Sequence, residues 1–267
     1  MGSCTFTDWQ NQWHWDTDYS EAASTVAARS FACMANFTSG HLLVFGGLVD
    51  AAVSNDTWVF DHVAAAGWRV INGHSAPVGR WGAACCSDGS MAYLHGGVAH
   101  DASSLSDLWS FNITSFEWSP MLSSSCNLDA STCSFAARSH VLAKFMSFLY
   151  AWDTLASRLQ RFNLASSAWQ PLIAPSIKGF QHLSIAQISS QVFLSLGLST
   201  DTNSNLLHLI LFSASGDPVQ FVSVNTSKLP LVLGGCMFAF STQILVLGGK
   251  PSSAPTSNRY RYFDRCC

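Results

Sequence analysis

Nine cysteines and nine histidines are the side chains of this 267-residue chain best suited to chemistry, and their spacing argues against metal binding. Structural zinc is held by ligands paired roughly two to four residues apart, and no such pairing of Cys or His recurs here. Cys85 and Cys86 are adjacent and cannot complete a tetrahedral set by themselves. His95 and His100 flank one short stretch and Asp61–His62 lies near another, ordinary settings for a capped or solvated imidazole. The carboxylates stand singly, so no acid–base pair for glycoside cleavage can be nominated. Neither a Gly-x-Ser-x-Gly elbow nor a phosphate-binding glycine loop occurs. No cofactor, no metal and no catalysis are expected.

The cysteines have a second use. Cys126 and Cys133 bracket a short stretch in the longest irregular connection, about 120–137, and a disulfide there would stiffen a recognition loop. Cys33, Cys85 and Cys236 fall at matching positions in apolar segments and read as small buried side chains. A bridge from Cys4 to Cys266 or Cys267 is a further option, and the odd total leaves at least one thiol out of any intramolecular pairing. Glycosylation sequons stand at Asn36, Asn55, Asn112 and Asn225, each near an expected turn or strand end. These features lean towards an extracellular or organelle-lumenal protein. Against that, the N-terminus has neither a basic start nor a continuous apolar core, so a cytoplasmic chain is the alternative. No apolar run reaches the roughly eighteen residues of a membrane span.

The elements that must position these groups are set by a period. Phe60, Phe111, Phe162, Phe212 and Phe263 are 51, 51, 50 and 51 residues apart. His41–Gly47, Asn55–Phe60 and Gly67–Trp68 form one unit, and Met91–Gly97, Asp107–Phe111 and Glu117–Trp118 repeat it. Apolar runs of four to seven residues between Gly, Ser, Asn, Asp and Pro read as strands, and no amphipathic helix of useful length is visible. The third unit has Ala151–Trp152 where the glycines belong, while Phe162 and Trp169 keep the later marks. The fourth is poorest, with Leu196–Gly197 and Phe221, and the fifth recovers Gly248–Gly249.

These residues resemble the kelch repeat: an apolar strand ending in a double glycine, a loop, a strand with an aromatic, a turn, and a strand with tryptophan. A lone four-stranded sheet cannot cover its apolar faces, so neighbouring sheets must stack around an axis. The expected fold is a single all-β domain over 1–267, a kelch-type β-propeller of about five four-stranded blades. The blades are placed at about 29–75, 80–122, 138–174, 180–226 and 234–267, with a closing strand from 4–16 completing the last. Trp68, Trp118 and Trp169 would fill space between sheets. Only 11% of residues are charged and the net charge is −3, which gives no electrostatic case for nucleic acid.

Some kelch propellers are enzymes. Galactose oxidase needs two tyrosines, one of them cross-linked to a cysteine, and two histidines on the axis, a set that cannot be mapped onto the five tyrosines here. What the resemblance implies instead is binding of a protein, or of a glycan, through loops gathered on one face, with a cytoplasmic kelch adaptor fragment as another reading. The loop after the second strand of each unit carries Asp50, His100, Asp101, Asp153, Asp201 and Asn203. Arg29, Arg80 and Arg138 each precede a first strand at corresponding places, either as a basic ring near the channel mouth or bonded to carbonyls of the neighbouring blade. Oligomeric state is not legible.

Overall fold

The computed structural model describes residues 26–27, 29–61, 67–73, 75–122, 134, 136, 138, 140–153, 156, 158–173, 180–187, 192–199, 205–213, 218–224, 232–233, 236–240, 243–247, 250–251 and 260–264. All regular structure among them is β, and no described helix is long and apolar enough to cross a membrane. The chain divides into two compact units, one of them holding Ala22–Gly179.

In that unit, β1 (Cys33–Asn36), β2 (His41–Phe45), β3 (Leu48–Val49), β4 (Ala52–Val53), β5 (Thr57–Asp61) and β6 (Gly67–Ile71) are followed by β7 (Arg80–Trp81), β8 (Ala84–Ser87), β9 (Met91–His95), β10 (Val98–Ala99), β11 (Leu108–Asn112) and β12 (Glu117–Leu122). Then come β13 (Val141–Phe145), β14 (Phe148–Asp153), β15 (Arg158–Asn163) and β16 (Ala168–Leu172). They build three antiparallel meanders, β1-β2-β5-β6, β8-β9-β11-β12 and β13-β14-β15-β16. The periodic phenylalanine and the tryptophan of each unit are ladder partners: Phe60 faces Trp68, Phe111 faces Trp118 and Phe162 faces Trp169. Their ring centroids lie 5.1, 5.0 and 5.2 Å apart, so one aromatic pair recurs in each sheet.

Successive sheets pack through these faces. Cys33, Leu43, Phe45, Val59, Leu94, Phe111 and Trp118 form one buried cluster from the first two sheets, and Tyr93, Leu108, Leu142, Leu149, Phe162 and Trp169 one from the second and third. Trp118 packs on Phe45 at 5.1 Å, and its indole donates to Thr57 Oγ1 at 3.0 Å, so a last strand is keyed into the preceding sheet.

The double glycines have a specific task. Gly46 and Gly47 have φ of 65° and 89°, and a Cβ at Gly46 would lie 2.5 Å from the Arg80 carbonyl. Gly47 N–H donates to that carbonyl at 2.9 Å. The pair therefore lets the chain entering the second sheet touch the end of β2. In the third unit the expected Ala151–Trp152 is not the counterpart of the double glycine: Trp152 faces Leu159 as Phe45 faces Thr57. The counterpart therefore begins at Asp153, to which β14 runs without a break, and among the described residues no small hairpin like β3–β4 follows.

The second unit, described by itself, contains β17 (Phe180–Gln187), β18 (Val192–Ser199), β19 (Asn205–Phe212), β20 (Pro218–Val224), β21 (Val232–Leu233), β22 (Cys236–Phe240), β23 (Gln243–Leu247), β24 (Lys250–Pro251) and β25 (Tyr260–Asp264). The first four form another meander, and β22-β23-β25 a three-stranded sheet among the described residues. β17 lies against β22, as β1 lies against β8 and β8 against β13. The closing segment 4–16 lies outside the described residues.

Candidate interaction face

The strand order brings two sets of connections to the same end of each sheet: the segment entering its first strand, and the loop leaving its second. Ser30 and Leu48 exchange backbone hydrogen bonds of 3.1 and 2.8 Å, and β7 pairs with β10. In the second unit β21 pairs with β24 in the same way. Within Ala22–Gly179 the entering segments also join one another, since Gly82 N–H donates to the Phe31 carbonyl at 3.0 Å.

Two arginine clamps lie beneath this surface. Arg29 donates to both carboxylate oxygens of Asp56 at 2.6 and 3.0 Å and to the Gly46 carbonyl at 3.0 Å. Arg80 repeats the arrangement with Asp107 at 2.5 and 2.8 Å and Gly96 at 2.9 Å. The Trp58 and Trp109 indoles donate to the same aspartates at 2.7 and 2.8 Å, and Ser54 Oγ also donates to Asp56. Burial alone would raise the Asp56 carboxyl, but the hydrogen bonds from Arg29, Ser54 and Trp58 outweigh it and hold it at about 2. Bidentate pairing with a satisfied second acceptor is the geometry in which a buried guanidinium is best tolerated. Both carbonyls belong to the arginine's own sheet, not to the neighbouring blade that the sequence led us to expect.

These clamps alter the sequence picture. Arg80 is only 1% exposed, and the Arg29 guanidinium is engaged by Asp56, so neither contributes to a basic ring; each fastens an entering segment to its own sheet. Arg138 is not at the corresponding place. Arg29 and Arg80 stand four residues before Cys33 and Ala84, the first ladder residues of their sheets, whereas Arg138 stands three before Val141. It is exposed, with its guanidinium carbon 5.6 Å from the Trp81 ring centroid. Trp81 in turn packs on Phe31 at 5.6 Å.

Asp50 is exposed at the tip of the β3–β4 hairpin, and His100 and Asp101 are exposed at the turn after β10. Asp101 accepts from Ser103 N–H and Oγ at 3.0 and 2.6 Å, which makes it a turn former. Asp153 receives Arg158 at 2.8 Å. Asp201, Asn203, Cys126, Cys133 and Asn225 lie outside the described residues. Asn55 is exposed, Asn36 is half-buried at the end of β1, and the Asn112 side chain accepts from Thr114 N–H at 2.8 Å.

Sequence reasoning missed two features. The Asp56 and Asp107 partners were signalled by an Asp-x-Trp spacing 27 residues after each arginine. His95 takes the ladder position that Phe45 takes in the first sheet; Ser134 Oγ lies 2.5 Å from its Nε2, and its Nδ1 lies 2.7 Å from His140 Nε2. Burial lowers both imidazoles, His140 to about 4, so two neutral histidines join the second sheet to the entry of the third. Serine, base and second histidine follow the order of groups in a nucleophilic site, but all three are buried among the described residues and the set suits a structural joint. Cys33 and Cys85, expected as small buried side chains, lie in and against the first core cluster and face each other across adjacent sheets with Cα atoms 5.7 Å apart. Among the described residues no cluster of three metal-ligating side chains occurs.

Repeated four-stranded antiparallel meanders, each keyed by a Phe–Trp pair and the first two also by a double glycine, define an all-β repeat protein. The chain belongs to the kelch-repeat family: residues 4–150, over half its length, match the KLHDC2/KLHL20/DRC7 Kelch-repeats domain. It is also 32% identical over 82 residues to tRNA wybutosine-synthesizing protein 4 of Emericella nidulans, a match covering 28% of this chain and 8% of that protein.

Proposed function

We propose that this chain is a noncatalytic kelch-type β-propeller of five blades that binds a protein partner through the loop face. The three-stranded β22-β23-β25 sheet lacks an outer strand among the described residues, and residues 4–16, with three tryptophans, would supply it. The name of the Emericella relative is not carried over, because the match spans 8% of that protein.

The observation that carries the reading is Phe31. It is 42% exposed and holds φ of 56°, in the left-handed region that costs an L-residue about 1–2 kcal/mol. Gly82 occupies the matching position 51 residues on, with φ of 66°. A bulky aromatic kept where glycine would be unstrained, and presented to solvent, fits a contact residue better than a folding residue. The test replaces Phe31 with a photo-crosslinking phenylalanine and compares it with the same substitution at Met146, exposed in the β13–β14 turn at the other end of its sheet. Irradiation in a native-source extract is expected to give protein adducts at position 31 and none at 146; equal labelling at both would overturn the reading.

An extracellular or lumenal setting is part of the proposal. The 5.7 Å Cα separation of Cys33 and Cys85 suits a disulfide, and the Asn55 sequon is exposed. Intact mass with and without reductant and N-glycosidase decides it: unmodified, fully reduced protein from its source would contradict this location.

A further inference from the structure

Position by position, the third repeat removes the clamp that the first two share. Thr57, Leu108 and Leu159 are the equivalent ladder residues of β5, β11 and β15, facing Phe45, His95 and Trp152. The residue before them is Asp56 in the first repeat and Asp107 in the second, but Arg158 in the third. A cation therefore stands where the arginine's carboxylate should be. Arg138 is also displaced by one residue relative to the first ladder residue of its sheet, and its side chain is exposed. The two departures act together. Arg158 is held by Asp153, and Arg138 has Trp81 as its partner and no carboxylate among the described residues.

We infer that Arg138, with Trp81 and Phe31, forms a recognition site for an acidic protein segment in which a carboxylate lies beside an apolar side chain. The inference rests on the loop-face reading and names the chemistry of its occupant. Charge complementarity selects the occupant: an exposed guanidinium stacked on an indole retains outward-facing N–H donors, and a carboxylate fits them bidentately. The neighbouring Phe31 ring offers an apolar surface for the adjoining side chain, which a phosphate ion alone would leave uncovered, and the Arg138 cation favours a carboxylate over a neutral glycan. Arg80 below the face, bonded through Gly47 and Ser54 backbone groups to the preceding sheet, keeps this platform fixed.

The test is selection of a random heptapeptide display library on the intact chain, followed by binding measurements with one recovered synthetic peptide. Peptides with Asp or Glu beside an aromatic or branched residue are expected to be enriched. Arg138→Gln should weaken the peptide roughly tenfold, and binding should fall as salt rises. Arg69→Gln, an arginine stacked on Phe116 beside β6, serves as the control and should leave affinity unchanged. Unaltered thermal melting of Arg138→Gln shows that folding is not the cause. Neutral or basic peptides whose binding is lost with Phe31→Gly would overturn the acidic occupant while leaving the loop face in place. Peptides that bind Phe31→Gly and Arg138→Gln as well as the original chain would overturn both, and an empty selection counts against the occupant.

Discussion

The second and third sheets have nearly the same strands and opposite uses for their entering arginine. In the second, Arg80 is buried, fixed by Asp107 and Gly96, and its backbone joins the sheet before it. In the third, the aspartate has become Arg158, Asp153–Thr154 follow Trp152 where the double glycine follows His95 in the second, and Arg138 is turned out over Trp81. An array of repeats holds its shape through positions that recur and gains specificity where one copy departs, because the remaining copies still hold the frame. Similar residues at similar places are therefore poor guides to role until their partners are known.

The largest contrast between the two sheets is expected from the arginines themselves. Arg80→Met should cost about 3–5 kcal/mol in chemical denaturation, since it strands a mostly buried Asp107 and the Gly96 carbonyl. Arg138→Gln should stay within about 0.5 kcal/mol. The glycine difference comes next: Gly47→Ala places a Cβ 2.8 Å from the Ser30 carbonyl at a φ of 89° and should cost about 2 kcal/mol, while Ala151→Gly, inside β14 at the ladder position that Val44 has in β2, should cost about 1 kcal/mol. A cost at Gly47 no larger than at Ala151 would mean that the glycine turn is not needed for the close approach.

The histidine joint between these sheets gives a pH signature. An unfolded imidazole takes its proton near 6.5, whereas His140 in the fold resists down to about 4 and burial lowers His95 well below its usual value too. Their folded values are depressed, so the unfolded chain binds more protons, and stability should fall as pH drops from 6.5 towards 4. His140→Gln should flatten that part of the denaturation profile. Smallest is Trp118→Phe, which keeps the ring and removes the bond to Thr57, for about 1 kcal/mol by thermal or chemical melting.

Much of the frame was legible because it is written in large apolar residues at a fixed period. Phe60, Phe111 and Phe162 with Trp68, Trp118 and Trp169 are ladder partners at matching positions. The double glycines foretold a close backbone approach, which the Arg80 carbonyl makes at Gly47. The site was less legible, since charge alone does not reveal direction. Arg29, Arg80 and Arg138 look equivalent along the chain, and only ladder register exposes the one-residue offset of Arg138 and the replacement of its aspartate by Arg158. His95 was hidden for another reason: its partners Ser134 and His140 lie 39 and 45 residues away.

Native-state hydrogen exchange at Gly47 and Gly82 tests most directly whether the second sheet's arginine holds the face and the third's is free to bind. Their amides donate to the carbonyls of Arg80 and Phe31 and pin the entering segments. Slow exchange in the original chain and in Arg138→Gln, with fast exchange in Arg80→Met under conditions where the rest of the fold stays protected, is the predicted result. Protection lost in Arg138→Gln, or retained in Arg80→Met, would contradict the division of labour between the two arginines.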